Sequence, residues 1–362
     1  MSESAAGHPS APSVPLVREY RRILVVRRDN IGDLVLTTPL IHALRERFPD
    51  AWIGALTNSY NAPVLAGNPD LNAVLAYDKA KHRPDRSRLA VAADTARLLL
   101  GLRRSRIDLA ILANPGYQRQ AAGLVRWIGA REVLGFAGPR VTLPVEYAAG
   151  ADLHAAEDVF RLGVPLGIHG DPGPCRMFAN PATMAAAVAA VRARLGDAPG
   201  PLIAVHISAR RPRQQWPAQR FADTLRALHA QCGARFLLLW APGAADDPRH
   251  PGDDAKAAEV QRLAGADIPL VPMPTTSLAE LAGALACAGL MLCIDGGAMH
   301  VAAALGKPVV ALFGDSPVHR WRPWGVAHEV IAAPHGDLAQ LDAAPVIAAT
   351  RALLAGPHRP SA

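Results

Sequence analysis

Short apolar runs recur along this chain between longer stretches in which apolar residues fall at helical spacing, and the two periods alternate. That is the pattern of parallel strands buried in a sheet with helices over both faces. Structure is expected to begin near residue 19, after a Ser/Ala/Pro-rich tail, 1–18, expected to be disordered. Residues 23–26 read as a buried strand, 27–33 as a loop and 34–48 as a helix with Pro39 near its beginning. Further strands are expected at 52–56, 74–77, 109–113 and 132–136, with helices at 89–104 and 118–128. A Pro/Gly-rich stretch, 163–174, reads as the linker region, and a second alternating series follows it. Its strands are 202–207, 236–240, 268–271, 290–294 and 309–313; its helices are 220–231, 255–264, 278–288, 298–305 and 343–354. The fold class that follows is α/β, with two Rossmann-like domains, 19–172 and 173–362, facing a central cleft at the carboxyl ends of their strands.

Composition narrows what such a chain does. With 362 residues, half of them hydrophobic, it is long enough to bury two cores. Its four cysteines, Cys175, Cys232, Cys287 and Cys293, have no CxxC spacing, which argues against a zinc site or a disulfide framework and suits a reducing cytoplasm. No apolar run reaches the roughly 18 residues of a membrane span, so the chain is expected in the cytoplasm, at most peripheral on the inner membrane. A net charge of +7 favours an acidic partner. Basic residues cluster between Lys79 and Arg106, and Arg103, Arg104 and Arg106 are candidates for facing an acceptor or an anionic membrane. A solvated helix face explains the same cluster. Nucleic acid is not an expected partner, because the few aromatics are not interleaved with the basic residues. No GxGxxG follows a strand and no GxxxxGK[ST] occurs, which counts against a standard dinucleotide site or P-loop.

Two strand-to-helix turns carry the candidate chemistry. In the second series, Cys293-Ile-Asp-Gly-Gly-Ala-Met-His300 puts an acid, two glycines and a histidine between an apolar strand and a small-residue helix. Gly296 and Gly297 let the backbone approach a ligand, and the N–H groups of the helix's first turn favour an anion such as a pyrophosphate. A plain tight turn is the competing reading. In the first series, Asp33 stands where the loop meets the helix, as a helix N-cap or as a carboxylate at the cleft. Arg27, Arg28 and the helix N-terminus should hold it as its anion.

Three stretches resemble glycosyltransferase family 9, the ADP-heptose:lipopolysaccharide heptosyltransferases. They are Ile23-Leu-Val-Val-Arg-Arg-Asp-Asn-Ile-Gly-Asp-Leu-Val-Leu-Thr-Thr-Pro-Leu40, Trp216-Pro217 with Arg220-Phe221-Ala222, and Asp295 to His300 continuing through Ala304-Leu-Gly-Lys-Pro-Val-Val-Ala-Leu-Phe-Gly314 and Arg320-Trp-Arg-Pro-Trp-Gly325. The resemblance implies a GT-B fold, an N-terminal acceptor domain and a C-terminal nucleotide-sugar domain. It implies inverting transfer of heptose from ADP-heptose to a lipid-linked or cell-envelope glycan, with neither metal nor cofactor. On the matching positions it implies Asp33 as general base, and Asp295, Gly296, Gly297 and His300 around the donor diphosphate. Gly296 stands where the family has Ser or Thr, and Gln214 where it has Lys or Arg before the Trp-Pro. Arg210, Arg211 and Arg213 are the nearest substitutes for that cation, with Arg213 the first choice. Asp247, Asp253 and Asp254 all remain candidates for the ribose acid. Another nucleotide sugar, or nucleotide or glycan binding without turnover, are the competing functions.

Overall fold

The computed structural model describes residues 19–78, 87–147, 152–247 and 251–356. The expected tail, and Lys79 to Arg86 of the basic cluster, lie outside the described residues.

The first half runs β1 (Arg22–Val26), α1 (Ile31–Val35), α2 (Thr38–Arg47), β2 (Trp52–Asn58), β3 (Ala73–Tyr77), α3 (Arg88–Arg104), β4 (Leu109–Leu112), α4 (Arg119–Ile128), β5 (Glu132–Phe136), β6 (Leu143–Val145) and α5 (Ala155–Phe160). The second runs α6 (Pro181–Leu195), β7 (Leu202–His206), α7 (Ala218–Cys232), β8 (Arg235–Trp240), α8 (Asp254–Ala264), β9 (Leu270–Pro274), α9 (Leu278–Cys287), β10 (Leu290–Ile294), α10 (Gly297–Ala304), β11 (Val309–Phe313), α11 (Val318–Trp321), β12 (His328–Ala332) and α12 (Ala343–Ala355). Each half forms one six-stranded sheet, ordered β3-β2-β1-β4-β5-β6 and β12-β11-β10-β7-β8-β9, and every strand pairing is parallel. The two orders are one topology used twice. In each, strand order reverses beside the first strand, and a crevice opens outside the carboxyl ends there. Those crevices lie at β1/β4 and β7/β10.

Strand alternation sorts side chains between layers. Ile23 and Val25 of β1 join a core shared by both domains, while Leu24 and Val26 join an outer core under α3 and α4. In β10, Met291 and Cys293 face the shared core, and Leu290, Leu292 and Ile294 face the outer core under α7, α8 and α12. The molecule is therefore layered: outer helices, sheet, inner helices, sheet, outer helices.

Four differences from expectation have physical causes. The helix expected over 34–48 is two, α1 and α2, with Thr37 at the position before the second and Pro39 near its start. Edge strands β6 and β12 were not anticipated, because one is three residues containing Pro144 and the other is half exposed and opens His328-Glu329. Helix α6 has no apolar stripe to read, with Ala187 its sole buried residue, although Asn180 and Pro181 form a proper helix start. Residues 161–166, at the start of the expected linker, form a 3₁₀ turn against α2 and α5.

Candidate functional site

The loop leaving β1 is fixed by its own polar side chains. Arg27 is buried, and its guanidinium donates to the Ala113 carbonyl, pairs with Asp29 at 3.3 Å and donates to Asp33 Oδ1 at 2.8 Å. Asn114 holds the Asp29 carboxylate at 2.6 Å, while Asn58 and Asn61 hold the carbonyls of Arg28 and Asp29. The chain enters α1 through Asn30, whose extended backbone makes it the N-cap; Asp33 sits three residues further, inside the helix. Its Oδ2 accepts from the Asn30 backbone N–H and side-chain amide, both at 3.2 Å. The N-cap reading of Asp33 is therefore corrected: the carboxylate reaches back to satisfy the cap residue's N–H. The Thr37 hydroxyl donates to the Asp33 carbonyl at 2.9 Å and ties α2 to the same turn.

Across the cleft, β10 delivers Asp295, Gly296 and Gly297. Gly296 is extended (φ 163°, ψ −174°), a conformation open to any residue, and a Cβ there would meet nothing within 4 Å. The turn therefore has room for the missing hydroxyl. Gly297 opens α10, and a Cβ on it would touch Ile31 of α1 at 3.5 Å. The buried Gln214 amide donates to Asp295 Oδ2 at 3.5 Å and to the Ser316 hydroxyl at 3.3 Å. Burial raises the Asp295 carboxyl above its ordinary value, against the Ser316 hydrogen bond and the Arg211 charge, and Asp315 adds to the rise. Arg211 and Arg213 are both exposed, but Arg211 stands 4.0 Å from Asp315 and its charge acts on Asp295. Among the ribose candidates, Asp254 has both oxygens engaged, by the Trp240 indole at 2.7 Å and the Gly243 N–H at 2.9 Å.

The two turns meet. A Cβ on Gly32 would lie 2.6 Å from His300 Cδ2, so only glycine lets α1 seat against α10. His300 is buried, and its Nδ1 has no hydrogen-bond partner among the described residues. Burial lowers its imidazole to about 4, although the Asp33 charge acts in the opposite sense, so it is neutral at pH 7. Asp33, Asp295, Gly296, Gly297 and His300 are thus gathered at one point between the domains, while Arg103, Arg104 and Arg106 are not. Arg103 and Arg104 close α3 and Arg106 follows it, at the far end of that helix, where Arg103 donates to the Trp127 carbonyl at 2.8 Å.

A second seam joins the domains. Arg320 pairs with the buried Asp158 of α5 at 3.1 Å, His154 contacts the Arg322 carbonyl at 2.9 Å, and the His154 ring stacks on Trp324 at 4.5 Å. Burial takes His154 down to about 3. The segment 320–325 was conspicuous in the sequence without a role; its partners lie about 160 residues away, beyond the reach of periodicity.

Among the described residues, no His, Cys, Asp and Glu side chains gather in threes to hold a metal ion, and no helix is long and apolar enough to cross a membrane. A family model for glycosyltransferase family 9 (heptosyltransferase) matches residues 96–345. Lipopolysaccharide heptosyltransferase 3 of Escherichia coli (strain K12) is 30% identical over 306 residues, 81% of this chain and 82% of that protein. The structure of the glycosyl transferase family 9 protein from Veillonella parvula DSM 2008 superposes with a TM-score of 0.77 at 21% identity, covering 94% of this chain and 98% of that one. E. coli heptosyltransferase WaaC with ADP gives 0.72 at 19%, covering 92% and 99%.

Proposed function

Because the chain belongs to glycosyltransferase family 9, the heptosyltransferase family, we propose that it moves heptose from ADP-heptose to a hydroxyl of a lipopolysaccharide-core or related envelope glycan, with inversion and without a metal ion. The observation that carries this reading is the meeting of Asp33 with the Asp295-to-His300 turn where α1 packs on α10. An acceptor hydroxyl entering from the N-terminal side attacks the anomeric carbon from the face opposite the diphosphate. Asp33 takes its proton as the new C–O bond forms. The old bond breaks toward ADP, whose charge is met by N–H groups of the first turn of α10 and by the helix dipole.

Arg211 supplies the cation that Gln214 lacks. This reading departs from Arg213 as first choice, and its support is the Arg211 charge acting on Asp295 and its 4.0 Å approach to Asp315. The neutral His300 packs the cleft floor and adds no charge to compete with Arg211. The acceptor is a lipid-linked glycan reached from the cytoplasmic face of the membrane. Incubation with ADP-heptose and a heptose-accepting core glycan is expected to release ADP and to yield a product heavier by one heptose. Absence of both, with donor bound, overturns the reading.

Gln214 and the hydroxyl-free Gly296 favour a second reading, the same transfer from a different nucleotide sugar. A thermal-shift screen of nucleotide sugars separates the two, because the true donor stabilises the fold by mass action.

A further inference from the structure

The ion pair behind Asp33 has a third member, Asp29, to which the transfer chemistry gives no role. Arg27 is 3% exposed, and its guanidinium is committed on three sides: Nη1 to the Ala113 carbonyl, Nη2 to Asp33 Oδ1 at 2.8 Å, and Nε toward Asp29 Oδ2 at 3.3 Å. The contact with Asp29 is an ion pair without a hydrogen bond, since Nε has no hydrogen-bond partner among the described residues. What Asp29 brings to Arg27 is charge. Its position is nonetheless fixed: the Asn114 amide donates to Oδ2 at 2.6 Å, and the Asn58 and Asn61 amides donate to its backbone carbonyl. All three asparagines are buried, at the carboxyl-terminal ends of β2 and β4, where burying an amide is unfavourable unless it is hydrogen-bonded. Three buried amides from two strands thus hold one carboxylate beside one guanidinium.

We propose that Asp29 is a positioning residue for the transfer reaction, keeping the buried Arg27 neutralised while Asp33 carries the acceptor's proton. In the resting site one guanidinium faces two carboxylates. When the acceptor O–H bond breaks and its proton moves to Asp33, the ion pair between Arg27 and Asp33 becomes a hydrogen bond to a neutral acid. Leaving a buried cation without a counter-charge is strongly unfavourable. Asp29 stays at 3.3 Å, so Arg27 loses one anion and keeps the other. Without Asp29, the whole Arg27 charge would oppose protonation of Asp33, and the acceptor hydroxyl would give up its proton less readily. The neighbouring ionisable groups do not take over this task. Arg28 is engaged by the Tyr77 hydroxyl and lies over the Tyr77 ring at 5.2 Å. His300, which faces Asp33 from α10, is lowered to about 4 by burial and is uncharged at neutral pH.

The proposal rests on the reading of Asp33 as general base, and its test keeps the two apart. Transfer from ADP-heptose to the core glycan is followed from about pH 5 to about pH 8 for the parent, Asp29→Asn and Asp33→Asn. Asparagine at 29 keeps the shape of the side chain and an oxygen for Asn114 while removing the charge. Asp29→Asn is expected to lower kcat roughly tenfold, the low end for one counter-charge beside a carboxylate. It should also move the acidic limb of kcat/KM to lower pH, because Arg27 then favours the Asp33 anion alone, with ADP affinity unchanged in calorimetry. A merely structural role would lower the rate and leave the limb in place. In an Arg27→Gln background there is no cation to neutralise, so adding Asp29→Asn should change kcat by less than about twofold. An unmoved limb, or a further loss of about tenfold in the double variant, overturns the role of Asp29 while the general base stands on Asp33→Asn. A near-normal rate for Asp33→Asn overturns the general-base reading, and the role of Asp29 with it.

Discussion

Asp33 spends both carboxylate oxygens on its own loop, one on Arg27 and one on Asn30, and this defines what a substitution there tests. An Asn keeps the shape and a hydrogen-bonding oxygen while removing the proton acceptor. Asp33→Asn is expected to lower kcat by at least about a hundredfold, the low end of general-base effects, with ADP affinity unchanged in calorimetry. A near-normal rate removes Asp33 from the chemistry. For the diphosphate cation, Arg211→Gln should weaken ADP binding roughly tenfold, the loss of one charge-assisted contact, and Arg213→Gln should leave it unchanged. The reverse ranking restores Arg213. At this scale the sequence displayed the residue types and their order but not their reach. Arg210, Arg211 and Arg213 are equivalent letters in a loop; only the 4.0 Å approach to Asp315 singles out Arg211. Asp33 was likewise visible, while its capping partner Asn30 was not, because Asn30 occupies the turn the hydrophobic pattern had assigned wholly to loop.

Helix against helix, the consequential contact is α1 on α10, and it depends on an absent side chain. Gly32 is not in the left-handed region; glycine is required there by the His300 ring. Gly32→Ala therefore forces either the ring or α1 to move inside a packed interior, an overpacking change that typically costs about 1–3 kcal/mol. Removing the ring should return the space, so Gly32→Ala in a His300→Ala background is expected to cost little. Urea melts of the four proteins check this: additive costs within about 0.5 kcal/mol would mean the two positions do not press on each other. The elements themselves were legible wherever an apolar run ended in turn chemistry, as at β1, β5, β10 and β11. They were illegible at two of the four edge strands, β6 and β12, which are short or half exposed, and in α6, where alanines on every side leave no stripe to read.

Seen whole, two parallel sheets of one topology follow from the alternation of periods, but the way they are joined does not, since nothing in a period specifies a partner in the other domain. Two buried, neutral histidines stand in that join, His154 at about 3 and His300 at about 4. Both lie below their ordinary value of 6.5, so an opened or unfolded chain takes up protons first as pH falls. Their contribution is fully present above pH 6.5 and is lost progressively down to about 4, then 3. The thermal midpoint is expected to fall already between pH 6.5 and 5, above the range where ordinary carboxylates titrate; a flat midpoint there overturns the assignment.

The Arg320–Asp158 pair sets the other limit on the join. Asp158 is 3% exposed and Arg320 21%, and with Arg320 gone the nearest remaining cation is Arg161 at 3.8 Å. Breaking a fully buried pair from one side costs about 3–5 kcal/mol, because a charge is left without its partner. Partial exposure of Arg320 and the presence of Arg161 reduce this, so Arg320→Gln should cost roughly 1–3 kcal/mol. The cost falls on the contact between domains rather than on either sheet, since Asp158 belongs to α5 and Arg320 to α11. Hydrogen exchange should accordingly quicken in α5 and the 320–325 segment while β1 and β10 stay protected. Uniform quickening across both sheets would mean that the pair supports the fold as a whole, and unchanged exchange would mean that the join holds without it, through α1 on α10 and the His154 contacts with Arg322 and Trp324.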